Sequence, residues 1–166
     1  MTNTTKITLL TFLLFLTFCK KPEKYSEIPE INFINIKFKD TIDLLGNPIK
    51  YGNLMFYLID GDGDFGLADE DTFPPFNLNS QYYNNLFIDL FKKTDTQIVL
   101  LPLNFRYRIK NFVDYNYNRI LKCTIKVSLP FYYPLLTDCC EFKFYVFDRN
   151  LNKSNIASTG LVKISN

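Results

Sequence analysis

Between Asp60 and Asp71 the chain reads Asp-Gly-Asp-Gly-Asp-Phe-Gly-Leu-Ala-Asp-Glu-Asp, six acidic side chains in twelve residues with no base among them. Carboxylates crowded in this way repel one another unless a cation neutralises them. The alternating glycines let the backbone curl so that Asp60, Asp62 and Asp64 point at one centre. Oxygen ligands suit a hard ion, and the spacing suits Ca²⁺ better than Mg²⁺, which prefers to keep its waters. An EF-hand would place Gly at the sixth position of its loop and a bidentate Glu at the twelfth. Here those positions hold Phe65 and Asp71, and an apolar strand-like run, Leu54 to Ile59, precedes the loop in place of a helix. The expectation is therefore a structural Ca²⁺ site in a β-loop, drawing on Asp60, Asp62, Asp64 and Asp71.

A second polar turn, Asp148-Arg149-Asn150-Leu151-Asn152-Lys153-Ser154-Asn155, separates the last two strand-like segments. In a sandwich this turn lies at the same end as the one after the second strand, so Asp148, with Asn150 or Asn152 as further candidates, is expected to complete the coordination. The alternative chemistry is a hydrolase using paired carboxylates, with Asp60, Asp64, Asp71 and Asp148 as its clustered acids. The chain has no His, which removes most general-base, triad and zinc arguments. No nucleophile elbow, HExxH or P-loop is present. The expected protein is not an enzyme.

The elements that must position these acids are strands. Ile34, Ile36 and Phe38 alternate with Asn35, Lys37 and Lys39, Gly46-Asn47-Pro48 marks a turn, and Asn53 to Ile59 runs into the acidic loop. Leu86, Ile88 and Leu90 form another period-two set, Gln97 to Leu101 a short strand, and Phe105 to Ile109 a further one. Leu121 to Leu129, Glu141 to Asp148 and Ala157 to Ile164 complete the series. No stretch carries a helical stripe. The spacing predicts an all-β fold, an immunoglobulin-like β-sandwich of about seven strands. Residues 61–82 show no periodicity, and structureless loops of that length are usually functional or ligand-ordered.

The first residues carry one base, Lys6, ahead of the apolar run Ile7 to Phe18, which is too short to span a bilayer and fits an export signal. Leu16-Thr17-Phe18-Cys19 resembles a bacterial lipoprotein cleavage box, although a small residue is usual where Phe18 stands. The expected organisation is a signal peptide over 1–18, a tether over 19–30 lipidated at Cys19, and a β-sandwich domain over 31–166. Two or more acyl chains, at about 0.8 kcal/mol per buried CH₂, would anchor the protein to a membrane. The expected location is the outer membrane, facing the periplasm or the cell surface.

The Asp-Gly-Asp-Gly-Asp-Phe-Gly loop at 60–66, Asp71-Thr72 with Pro74-Pro75, and the 148–155 turn together resemble a group of uncharacterised Bacteroidota-type lipoproteins with a DGDGD[FI]G loop and a C-terminal DRxLNxSN motif. The resemblance implies an envelope lipoprotein with an all-β domain and implies no activity.

With Cys19 assigned to lipid, Cys123, Cys139 and Cys140 remain for an oxidising compartment. Cys123 faces the expected core, so a disulfide to one of the adjacent pair is expected, with its partner left open. Arg106, Arg108, Lys110, Lys122 and Lys126 fall on the polar side of two strands read as neighbours. They form either a cationic patch for an acidic glycan or envelope protein, or a solvated sheet face. Turn-borne tyrosines offer an aromatic face for the same purpose. Hydrophobic residues at 47% and aromatics at 17% exclude a disordered chain. A net charge of +2 leaves no nucleic-acid footprint.

Overall fold

A computed structural model of the protein describes residues 23–94, 97–111 and 120–164. Seven strands occur there and no helix: β1 (Glu30–Ile42), β2 (Pro48–Asp60), β3 (Leu86–Lys93), β4 (Ile98–Tyr107), β5 (Leu121–Tyr132), β6 (Cys139–Val146) and β7 (Ala157–Lys163). They form two antiparallel sheets, β1-β2-β5 and β4-β3-β6-β7. In the constant-type immunoglobulin order the fourth strand pairs with the fifth. Here β4 pairs with β3 instead, which moves it to the other sheet. The segments read as two short strands, 97–101 and 105–109, are one strand, with Leu101 to Leu103 bulging between the paired residues Leu100 and Asn104.

Period-two alternation builds the core. Leu54, Phe56 and Leu58 of β2 are fully buried, as are Leu86 and Ile88 of β3 and Phe142, Phe144 and Val146 of β6. Phe56 crosses the interlayer space to Phe144, with ring centroids 5.2 Å apart. Near the opposite end Phe38, Phe105 and Phe142 surround Phe131 with centroids 5.5–6.1 Å away. Each such buried side chain contributes about 1.5–3 kcal/mol relative to exposure.

Antiparallel pairing sorts the connections by end. Asp60 closes β2 opposite Leu121 at the start of β5, and Val146 closes β6 opposite Leu86 at the start of β3. The β2–β3, β4–β5 and β6–β7 connections thus share one end, together with the point where β1 begins. Two polar side chains reinforce that end by imitating a neighbouring strand. Asn85 accepts from Ile109 N at 2.6 Å and donates Nδ2 to Ile109 O at 3.0 Å, and Asn155 bonds the backbone of Ile31 in the same two-point manner.

The β2–β3 connection is anchored rather than loose. Phe65 and Leu67 are buried and cap the core, and Leu67 bridges in parallel to Lys110. Gly66 adopts a φ of 105°, and a Cβ there would lie 2.5 Å from Asn111 Cα, so both conformation and space demand glycine. Arg108 donates to Tyr83 O, Ala68 O and Asp71 O at 2.8–3.0 Å, stitching the loop to the end of β4.

Candidate metal centre

Asp60 is the last residue of β2, and its side chain is delivered inward at the rim of the core with no exposed surface. The loop then turns back through Gly63, at a φ of 72°, bringing Asp64 alongside. From the other sheet, Asp148 follows β6 and is also almost wholly buried. One oxygen each from Asp60, Asp64 and Asp148 lies within 4.8 Å of the others. Two ligands of one Ca²⁺, each at 2.3–2.6 Å, stand at most about 5.2 Å apart, so this spacing fits a shared ion.

Hydrogen bonds account for only part of the carboxylate oxygen set. Asp60 Oδ2 accepts from Phe65 N at 2.9 Å. Asp64 Oδ2 accepts from Asn150 N at 3.2 Å, and Asp62 Oδ2 accepts weakly from Asn150 Nδ2 at 3.4 Å. Asp148 organises its own turn, accepting from Asn152 N at 2.7 Å and Asn152 Nδ2 at 2.9 Å. The remaining oxygens, Oδ1 of Asp60, Asp62 and Asp64, are buried and accept nothing. An unsatisfied buried carboxylate oxygen is costly, and three of them on one loop make a donor set that a hard cation would satisfy.

The electrostatics agree. Burial, then the adjacent carboxyl of Asp62, pushes Asp60 up to about 8. Burial, then the charges of Asp148 and Asp62, pushes Asp64 up to about 6. Burial also raises Asp148, against the opposing bonds from Asn152. These are the signs of like charges held together in a dry place, and a divalent ion would reverse them.

The structure thus brings Asp60, Asp64 and Asp148 together, with Asp62 beside them. Asp71 is not part of this group. Both of its oxygens receive the Arg149 guanidinium, Nη2 to Oδ1 at 3.0 Å, and Oδ2 also accepts from Ala68 N at 2.7 Å. Burial opposes its ionisation, but the Arg149 bond and the Ala68 amide outweigh it and hold the carboxyl below its usual range. Asp71 therefore ties the loop to the 148–155 turn as an ion-pair partner.

No family model, curated protein or solved structure matches the chain. Assignment of a role accordingly rests on the geometry.

The other expected sites are corrected. Cys123, Cys139 and Cys140 are all free thiols. Cys123 pairs with Leu58 near the acidic end, whereas Cys140 pairs with Lys92 and Val162 at the far end, so no bridge can form between them. Burial, then the charge of Asp60, raises the Cys123 thiol, and burial pushes Cys140 up to about 12. The basic residues do not assemble, because β4 and β5 lie in different sheets. Arg106 pairs with Asp89 at 2.7 Å, Lys110 with Asp69 at 2.7 Å and Lys122 with Glu23 at 3.0 Å, while Arg108 binds the loop carbonyls. Lys126 is exposed on β5. Cys19 lies outside the described residues.

Sequence reasoning missed Arg149, Asn85 and Asn155. Arg149 could have been noticed as the cation directly after Asp148. Asn85 and Asn155 each stand within two residues of a strand start, where a carboxamide can imitate a missing strand neighbour.

Proposed function

We propose that the protein is a non-enzymatic cell-envelope lipoprotein, anchored through Cys19, whose sandwich is stabilised by Ca²⁺ and binds or scaffolds another envelope component. The observation carrying this reading is that Oδ1 of Asp60, Asp62 and Asp64 is buried and unpartnered where Asp60, Asp64 and Asp148 converge. The ion would be held by Asp60, Asp64 and Asp148, with Asp62 as a further donor, and would supply charge neutralisation between the two sheets.

Placement of Glu23 orients such an anchor. Glu23 lies beside Lys122 at the acidic end, and Cys19 precedes Glu23 by four residues, a span of at most about 14 Å. An acylated Cys19 would thus hold the ion-binding end toward the membrane. Convergence of Asp60, Asp64 and Asp148 on one point, with Asp71 engaged by Arg149, favours a structural role over hydrolysis. On the strands, Phe87 and Tyr145 stack on each other at 5.2 Å, and Arg106 and Lys153 lie over these rings.

The test is thermal melting with Ca²⁺ and with a chelator. At a Kd of about 10⁻⁴–10⁻³ M, about 10 mM Ca²⁺ stabilises by roughly 1.4–2.7 kcal/mol, several degrees in Tm. Asp62→Ala should diminish the shift and Asp60→Asn abolish it. Superimposable curves with and without the ion refute the reading.

A further inference from the structure

We propose that ion binding at the Asp60–Asp64–Asp148 cluster locks the N-terminal segment Glu23–Glu30 onto the domain, and that loss of the ion releases it. The inference rests on the cation-site reading above and concerns what that site regulates.

The segment leads into β1, which begins at Glu30, and crosses the acidic end of the sandwich. Three fastenings hold it: two belong to segments that carry a ligand, and the third stands on β5, the strand paired with β2. Gly61, next to Asp60, donates its N–H to Ser26 O at 2.9 Å. The approach is so close that a Cβ on Gly61 would lie 2.3 Å from Ser26 O and 2.6 Å from Tyr25 O. Lys122, opposite Ile59 on β5, donates to Glu23 Oε2 at 3.0 Å and Tyr25 Oη at 2.6 Å, with Nζ 4.0 Å from the Tyr25 ring centroid. Asn155, at the end of the turn that begins with Asp148, grips both backbone groups of Ile31 at 2.8 Å.

Without a counter-ion, three carboxylates within 4.8 Å of one another must either take up protons or move apart. The second course separates the 61–64 loop from the 148–155 turn. Gly61 moves with the loop and Asn155 with the turn, so the fastenings at Ser26 and Ile31 cannot both persist. The contacts of Glu23 and Tyr25 are solvent-exposed and individually weak, so the segment opens at small cost once these two are lost. An ion closes the cluster and restores all three. Linkage then requires the converse: the locked segment raises ion affinity by the factor by which the ion favours the lock, so weakening a fastening weakens ion binding.

The experiment is hydrogen exchange on the full chain, read by mass spectrometry, in millimolar Ca²⁺ and in chelator, with Ca²⁺ binding measured in parallel by calorimetry. Exchange across residues 23–31 is expected to slow at least about threefold with Ca²⁺, while peptides around Ile88 and Phe144 stay unchanged. Lys122→Met, which touches no carboxylate of the cluster, is expected to lower Ca²⁺ affinity about two- to fivefold, and Gly61→Ala at least as much. If Ca²⁺ binds, protects 61–64 and 148–152, and leaves 23–31 unaltered, the lock is overturned and the cation site stands. Unchanged Ca²⁺ affinity in a folded Lys122→Met protein also overturns the lock. If calorimetry detects no Ca²⁺ binding, the site and the lock fall together.

Discussion

Asn155 grips Ile31 with both ends of its carboxamide: Ile31 N donates to Oδ1 and Nδ2 donates to Ile31 O, each at 2.8 Å. The pair joins residues 124 positions apart and ties the first strand of one sheet to the turn that enters the last strand of the other. A side chain here substitutes for a strand neighbour. Replacement by Ala removes two hydrogen bonds and leaves part-buried backbone groups unpaired, and the expected cost is about 1–3 kcal/mol. Urea unfolding would measure it; a difference below about 0.5 kcal/mol would mean that water replaces the carboxamide at no loss.

Arg149 is the second tie across the same end, joined to Asp71. Both side chains are mostly shielded, Asp71 more than Arg149, so removing one partner exceeds the effect of a surface pair without reaching that of a fully buried one. Arg149→Met is expected to destabilise by about 1–2 kcal/mol and to weaken Ca²⁺ binding, because Asn150 and Asp148 lose their position. An unaltered denaturation midpoint would contradict the tie.

The ion-free protein should be more stable at pH 5 than at pH 8. Asp60 and Asp64 are raised from the ordinary 3.8 to about 8 and about 6. Across that window the folded state holds more protons than the unfolded one, so stability falls as pH rises. It is fully present below about pH 4 and lost as pH passes through the two folded values. The chain has no His to blur the interval. Lowered carboxyls such as Asp71 act in the opposite sense, at more acidic pH. Denaturation midpoints in chelator from pH 5 to 8 test this; a rising trend would be incompatible with the raised carboxyls. Saturating Ca²⁺ should flatten the slope, the ion taking the place of the protons.

The thiols supply an independent check on the topology. Cys139 is exposed, Cys123 half-buried and Cys140 buried. A thiol reagent should modify Cys139 first, with Cys140 protected until unfolding. Mobility on a denaturing gel should not depend on reductant for a monomer. A reductant-sensitive intramolecular shift assigned to Cys123 would overturn the observed register.

The acidic loop and the 148–155 turn were legible as a pair because two local facts coincide. Each stands at the end of an apolar alternating run, and strands one up and one down return such ends to the same place. What misled was the treatment of every acid as equivalent. Asp64 and Asp71 look alike within the loop, yet one faces Asp148 and the other Arg149. The expected basic patch failed for a related reason: Arg106 and Lys122 alternate correctly within their own strands, but nothing local says that those strands belong to different sheets.

By itself, then, the sequence determined the all-β class, the inward-facing set on each strand and the loop where negative charge would concentrate. Those follow from periodicity and residue chemistry, which operate over a few neighbouring residues. The tertiary structure decided which strands pair, and through that which of the acids meet, which is claimed by an arginine, and that Cys123 stays apart from Cys139 and Cys140. Such outcomes depend on contacts between residues tens of positions distant, where burying both apolar faces at once selects the partner.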